Sequence, residues 1–248
     1  MDSAFHAKSA YISGASRGIG RAIAEELASL GYNLSLTCKN NPQMLEELKE
    51  ELIEKYHVNI LTFTGDVSNF EFMEMVCQKT MHHFHTIDVI VNNAGISYIG
   101  LLTDMSVLDW DRVISTDLNS AFYSSKLFVP HMINQKFGKI INISSMWGSV
   151  GASMEVCYSA AKGGLNSFTK ALSKELAPSN ISVNAISCGV IDTEMNHCFS
   201  EEEMEALIED IPAGRLCRPD EVAKLVSSII SAPSYMTGQI IGIDGGYI

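Results

Sequence analysis

Tyr158 and Lys162 stand four residues apart in the stretch CYSAAKGG, residues 157–164, where helical spacing begins. Side chains so spaced share one helix face, so a phenol and an ammonium can enter one cleft together. A free phenol, with a pKa near ~10, is a poor proton shuttle at neutral pH. A cation ~4 Å away at an effective dielectric of ~20 stabilises phenolate by ~4 kcal/mol, and ~1.4 kcal/mol moves a pKa by one unit. The spacing therefore predicts a tyrosine carried most of the way to neutrality, with desolvation returning part of the shift, and usable as acid and base. Upstream, IINISSMWG closes a strand candidate at Ser144 and Ser145. Either hydroxyl, at a strand's carboxyl end, can face a ligand crevice and hydrogen-bond a substrate oxygen; a serine pair can also simply cap a strand.

A second cluster has the chemistry to hold phosphate. SGASRGIG follows the first strand candidate and places Gly14, Gly18 and Gly20 ahead of the helical run RAIAEELASLG. Glycines there let the backbone turn tightly against a pyrophosphate, whose charge meets free amides and the positive end of a helix. The flanking strand and helix lift this above a bare glycine triplet. The next strand ends LSLTCKNN, with Cys38 where a binder of NAD usually carries an acid for the ribose 2′-hydroxyl. Lys39 follows, and Arg17 lies in the glycine loop, so two cations can face a 2′-phosphate with no carboxylate to repel it. NADP(H) is the expected cofactor, although Lys39 also fits an ordinary surface lysine. GDVSN adds Asp66 near the adenine, and VNNAG adds Asn92, Ala94 and Gly95 at the end of the fourth strand, where Asn92 can instead serve backbone groups at the sheet edge. Cofactor loop, orienting hydroxyl and proton donor are together the parts of a hydride-transfer site.

Short β-rich runs (SAYIS, NLSLT, ILTFT, DVIVNN, KIINIS, ISVNAIS, QIIGID) alternate with helical segments at 18–30, 42–56, 69–84, 108–135, 156–176 and 220–230. That alternation predicts an α/β fold: a Rossmann-type, doubly wound, seven-stranded parallel sheet in a single domain spanning 1–248. Extra polar sequence around 194–210 breaks the rhythm after the sixth strand, where ligand-covering loops sit, and predicts a lid at about 190–212.

At 248 residues and 46 % hydrophobic side chains the chain can bury a full core. Its 29 acidic against 17 basic residues, net −12, disfavour nucleic acid and anionic lipid as partners. No apolar run approaches the ~18 residues of a membrane span, and the N-terminal MDSAFHAKSAYISG lacks a leader pattern, so a cytoplasmic protein is expected. Cys38, Cys77, Cys157, Cys188, Cys198 and Cys217 are scattered and read as reduced thiols. HHFH at 82–85 has no accompanying thiol or acid cluster, and no metal is expected.

GASRGIG, NNAG, ISS, YSAAK and the late DGG together resemble the short-chain dehydrogenase/reductase family over nearly the whole chain. The resemblance implies that Tyr158 is the proton donor, that Lys162 holds the nicotinamide ribose while lowering the tyrosine pKa, and that Ser145 rather than Ser144 is the catalytic serine. It extends the cofactor set to Ser16, Ile19, Val67, Gly189, Ile191 and Thr193, and implies a homotetramer, or a homodimer, built through the long helices. Two positions depart from the family pattern. Asp117 stands where a catalytic asparagine is usual; ionised, it accepts but cannot donate, and it can raise the pKa of Lys162. Cys188 stands where a Pro-Gly pair is usual, which predicts a less restricted loop.

Carbonyl reduction or alcohol oxidation follows from the resemblance, closest to 3-oxoacyl-acyl-carrier-protein reductases. The run SSMWGSVGASMEVCYSAAKGG also resembles the reductases of the 5-aminopentanone modification on elongation factor P; a hydroxysteroid or other small-alcohol dehydrogenase and a non-catalytic NADP(H) sensor are alternatives. The substrate is thus a small or carrier-linked carbonyl. SEEEMEALIED in the expected lid can welcome an amine, or can be a solvated helix start in which Ser200 and Glu203 form a capping box. Met146, Trp147 and Met154 are candidate pocket walls, the other methionines core filler.

Overall fold

A computed structural model describes residues 8–196 and 200–248 of the chain. The first seven residues, on which the expected absence of a leader rests, and Cys198, in the expected lid, lie outside the described residues. One seven-stranded sheet runs β3-β2-β1-β4-β5-β6-β7, from β1 (Ser9–Ser13), β2 (Asn33–Cys38), β3 (Ile60–Thr64), β4 (Val89–Asn92), β5 (Gly138–Ser145), β6 (Ile181–Cys188) and β7 (Ile240–Ile243). Every pairing is parallel. Strands buried on both faces need apolar residues on both, and β1 shows the division: Ala10 and Ile12 join one core, Tyr11 the other.

The first core takes α1 (Gly18–Ser29), α2 (Pro42–Tyr56) and α9 (Pro219–Ser231), through Ile23, Leu27, Leu48 and Val226. The second takes α3 (Phe70–Phe84), α5 (Ser120–Gln135) and α7 (Val156–Leu176), through Met73, Val76, Phe128 and Leu176. This is the doubly wound Rossmann arrangement expected from the alternation. The chain leaves β1 toward β2 and β3, then returns to place β4 on the other side of β1, opening a crevice at their carboxyl ends.

Three local features bear on the site. The expected helix at 108–135 is two helices, α4 (Val107–Ile114) and α5, joined by a π-helical turn at Ser115–Asn119. A π turn is rare and recurs at functional sites, and this one carries Asp117. A short helix α6 (Trp147–Val150) follows β5 directly. After β6, α8 (Glu201–Asp210) starts on the capping box formed by Ser200 and Glu203.

Candidate active site

The glycine loop is built by close approach. Gly14 and Gly18 adopt φ of +67° and +54°, the left-handed region that favours glycine. A Cβ on Gly20 would lie 2.1 Å from the Gly14 carbonyl oxygen, so only glycine lets α1 begin this close to β1. Gly20 therefore shapes the loop from behind and does not line the crevice, unlike Gly14, Ser16, Arg17, Gly18 and Ile19.

Asn93, which motif reading passed over, pins the loop: its Nδ2 donates to the carbonyls of Ser13 and Gly14 at 2.9 and 3.1 Å. The Ser13 hydroxyl accepts from the backbone of Asn93 and Ala94, each at 3.0 Å. Asn92 differs from the expectation. It points into the protein, donating to Asn142 at 2.8 Å and accepting from the Ser124 hydroxyl, and has no face on the cavity. The reason is the two-residue alternation of β4, which sends Asn92 toward α5 while Asn93, just past the strand, faces the loop.

A cavity of about 600 Å³ joins this loop to Ser144, Ser145, Tyr158 and Lys162. That volume is within the range of small-molecule and cofactor sites. At the far end from the tyrosine, Cys38, Lys39, Asn40, Asn41, Asp66 and Val67 form the wall. The cations there are paired, contrary to the expectation of a carboxylate-free pocket. Arg17 is in an ion pair with Glu194, and Lys39 with Asp66. Glu194 is 177 residues from Arg17 along the chain, beyond the reach of any local pattern.

Gly95, Gly189, Ile191 and Thr193 complete the wall on the β4 and β6 sides, with Thr193 packed against Gly18. Cys188 and Gly189 are tied into the backbone at the root of the loop. The Cys188 carbonyl accepts from the Met146 amide at 2.8 Å, and the Gly189 amide donates to Ile243 at 2.9 Å. A Cβ on Gly189 would lie 2.6 Å from Asp244 Cα, so a side chain at 189 would collide with the backbone of the DGG turn.

At the chemical end the two serines part company. Ser144 donates to Asn166 Oδ1 at 2.7 Å and is held against α7. The Ser145 hydroxyl accepts from the Trp147 amide at 3.2 Å and keeps its own proton for another partner. Met146 and Trp147 line the cavity; Met154 does not, and is 45 % exposed. Leu207 is the α8 residue on the cavity, and the α8 acids Glu201 and Glu202 are exposed, so of the lid carboxylates Glu194 lines the wall and those of α8 do not. Glu155 does line it, three residues before Tyr158; burial raises its pKa, opposed by a hydrogen bond from the Trp147 indole. Arg112 lies on the same wall and has no carboxylate partner among the described residues.

Lys162 Nζ lies 5.4 Å from the centre of the Tyr158 ring and donates to the Ile143 carbonyl at 3.1 Å. The expected depressed tyrosine pKa is overturned. Burial pushes the Tyr158 phenol up to about 12; Lys162 pulls it down by less, and Asp117 adds to the rise. Asp117 itself is buried beside the cavity rather than on it, with Oδ2 3.2 Å from Lys162 Nζ and Oδ1 accepting from the Ile96 amide at 2.9 Å. Burial opposes the charge of Lys162, but Asp117 and Tyr158 outweigh it and raise its pKa, as the sequence suggested. The pair is desolvated on both sides: burial raises the pKa of Asp117 against the pull of Lys162.

Among the described residues no group of three or more His, Cys, Asp or Glu side chains is placed to hold a metal ion, and no helix is long and apolar enough to cross a membrane.

Residues 8–204 match the model of the short chain dehydrogenase family. An oxidoreductase of Bacillus subtilis, YmfI, is 41 % identical over 97 % of this chain and 98 % of its own. The 3-oxoacyl-[acyl-carrier-protein] reductase FabG of Aquifex aeolicus is 38 % identical over 99 % of both chains, and that of Staphylococcus aureus 36 % over 96 % and 97 %. Among solved structures, YwfH, an NADPH-dependent reductase involved in bacilysin biosynthesis, superposes with a TM-score of 0.93 at 27 % identity, covering 98 % of each chain.

Proposed function

The chain belongs to the short-chain dehydrogenase family of oxidoreductases, and we propose that it is an NADPH-dependent reductase converting a carbonyl to an alcohol, most like a 3-oxoacyl-acyl-carrier-protein reductase. The observation that carries this reading is that the glycine loop and the Ser145, Tyr158, Lys162 set share one cavity. The loop fits a dinucleotide: α1 opens at Gly18, and a Cβ on Gly14 would meet Ala94 Cα at 3.0 Å, so the backbone is bare where a pyrophosphate lies. When bound, a reduced nicotinamide supplies the hydride.

The chain's own residues handle the oxygen and the proton. Ser145, whose hydroxyl proton is uncommitted, orients the carbonyl oxygen. Tyr158 gives that oxygen its proton; a phenol with a raised pKa is in the protonated, donating form throughout the neutral range. Lys162 holds the nicotinamide ribose. Arg17 and Lys39 turn from Glu194 and Asp66 to a 2′-phosphate, which offers a denser charge and bidentate geometry. Residues 190–212 act as the substrate lid, with Leu207 toward the cavity. Assembly is a homotetramer or homodimer through α5 and α7, supported by the exposed Phe122 and Ile133 on α5, and the protein works in the cytoplasm.

Glu155 favours a second reading, a ketone that carries an amine, as in the 5-aminopentanone modification of elongation factor P. A half-buried carboxylate with no cationic partner among the described residues suits an ammonium. Loss of NADPH absorbance is the test, with a panel of 3-oxoacyl thioesters, aminoketones and ketosteroids. Turnover of at least one of these, abolished in Tyr158→Phe with NADPH binding retained, is the expected result. Tight NADPH binding without turnover of any would make the protein a cofactor sensor instead.

A further inference from the structure

The pairing of Asp117 with Lys162 has a consequence for the tyrosine they flank. Asp117 sits in the π-helical turn at Ser115–Asn119 with its side chain fully shielded from solvent, and Lys162 is nearly as buried. One carboxylate oxygen takes the Ile96 amide; the other faces Nζ at 3.2 Å without forming an aligned hydrogen bond. Carboxylate and ammonium form a close, buried ion pair. A Cβ on Gly95 would lie 2.7 Å from that same oxygen, so the glycine of NNAG leaves the room that brings the carboxylate this close.

We infer that Asp117 is a positioning residue that takes up the charge of Lys162 and so holds Tyr158 in its protonated, donating form. The ammonium has one positive charge to share. The part balanced by Asp117 is not available to stabilise phenolate, and the carboxylate repels phenolate directly. The other titratable groups acting on the phenol are Cys188, from the end of β6, and Glu155, at the start of α7; as anions both oppose its ionisation too. Lys162 is the one cation among these groups and the one influence opposing burial, so balancing its charge adds to the rise that burial causes. Asparagine at this position would keep an acceptor for the Ile96 amide and lose only the charge.

The test is titration of Tyr158 by NMR of the full-length protein labelled at tyrosine Cζ, with its signal assigned by Tyr158→Phe, with and without NADP⁺. It needs no turnover, so it stays readable if the reductase reading fails. Expected is a midpoint about one pH unit or more lower in Asp117→Asn than in the native protein, in both states, with Asp117→Glu close to native. If Asp117→Asn does not fold, Asp117→Ser removes the same charge in a smaller side chain. An unchanged or higher midpoint in the charge-removing variant overturns the inference, as does an equal fall in Asp117→Glu, which would trace the effect to shape rather than charge. Where turnover is seen, the pH at which alcohol oxidation levels off should fall by the same amount.

Discussion

Gly20 meets the carbonyl of Gly14 so closely that a Cβ on Gly20 would stand 2.1 Å from the Gly14 oxygen. Backbone cannot yield as a flexible side-chain tip can. Gly20→Ala should therefore displace α1 or the loop and weaken NADPH binding by more than about tenfold, with destabilisation of about 1–3 kcal/mol as for other overpacked sites. Fluorescence titration with NADPH and a urea melt check both. Native binding in the variant would show that the loop adapts at no cost.

Tyr158 leads to a prediction about pH. A phenol is the donor below its pKa, and burial raises that of Tyr158 to about 12, so the donating form persists well above neutrality. Carbonyl reduction should be flat from about pH 6 to 9 with respect to this group. Oxidation needs the phenolate and should rise with pH; NADP⁺, whose nicotinamide ring is cationic, should lower the midpoint where NADPH does not. Rate profiles in both directions read the two halves separately. A tyrosine midpoint near neutrality in the free protein would contradict the burial argument.

Arg17 and Lys39 reach the expected 2′-phosphate only by leaving Glu194 and Asp66. Arg17→Ala with Lys39→Ala should cut the NADPH over NADH preference by about 10–100-fold, since hydrogen bonds to charged groups are worth about 1.5–3 kcal/mol. Glu194→Gln removes a competitor and should tighten NADPH binding. Equal kinetics with both cofactors in the native protein would remove the basis for assigning these two side chains.

Glu155 separates the two substrate readings. Glu155→Gln should lower kcat/KM for an aminoketone by about tenfold or more while sparing a 3-oxoacyl thioester, because only the former loses a charge partner. An equal loss on both substrates would mark Glu155 as structural support for Trp147.

Much of the fold was legible because its signals are local. Each of the seven expected strand segments overlaps one strand of the observed sheet, and α2 and α7 run over the expected residues. The helix expected at 108–135 was less legible: nothing in its spacing marks the π turn, where Asp117 meets Lys162 and the Ile96 amide, partners contributed by other parts of the chain. Likewise NNAG flagged the right turn but not which asparagine faces the loop. That depends on where β4 ends, and a one-residue change of phase exchanges the two sides.

The order of residues along the chain determined the strand and helix alternation, the glycine loop and the face shared by Tyr158 and Lys162, since periodicity and turn chemistry act over a few neighbours. Tertiary structure alone decided which carboxylates meet Arg17, Lys39 and Lys162, and whether burial or the neighbouring ammonium sets the acidity of Tyr158. Both are matters of distance and dielectric, and neither quantity exists until distant segments have packed together.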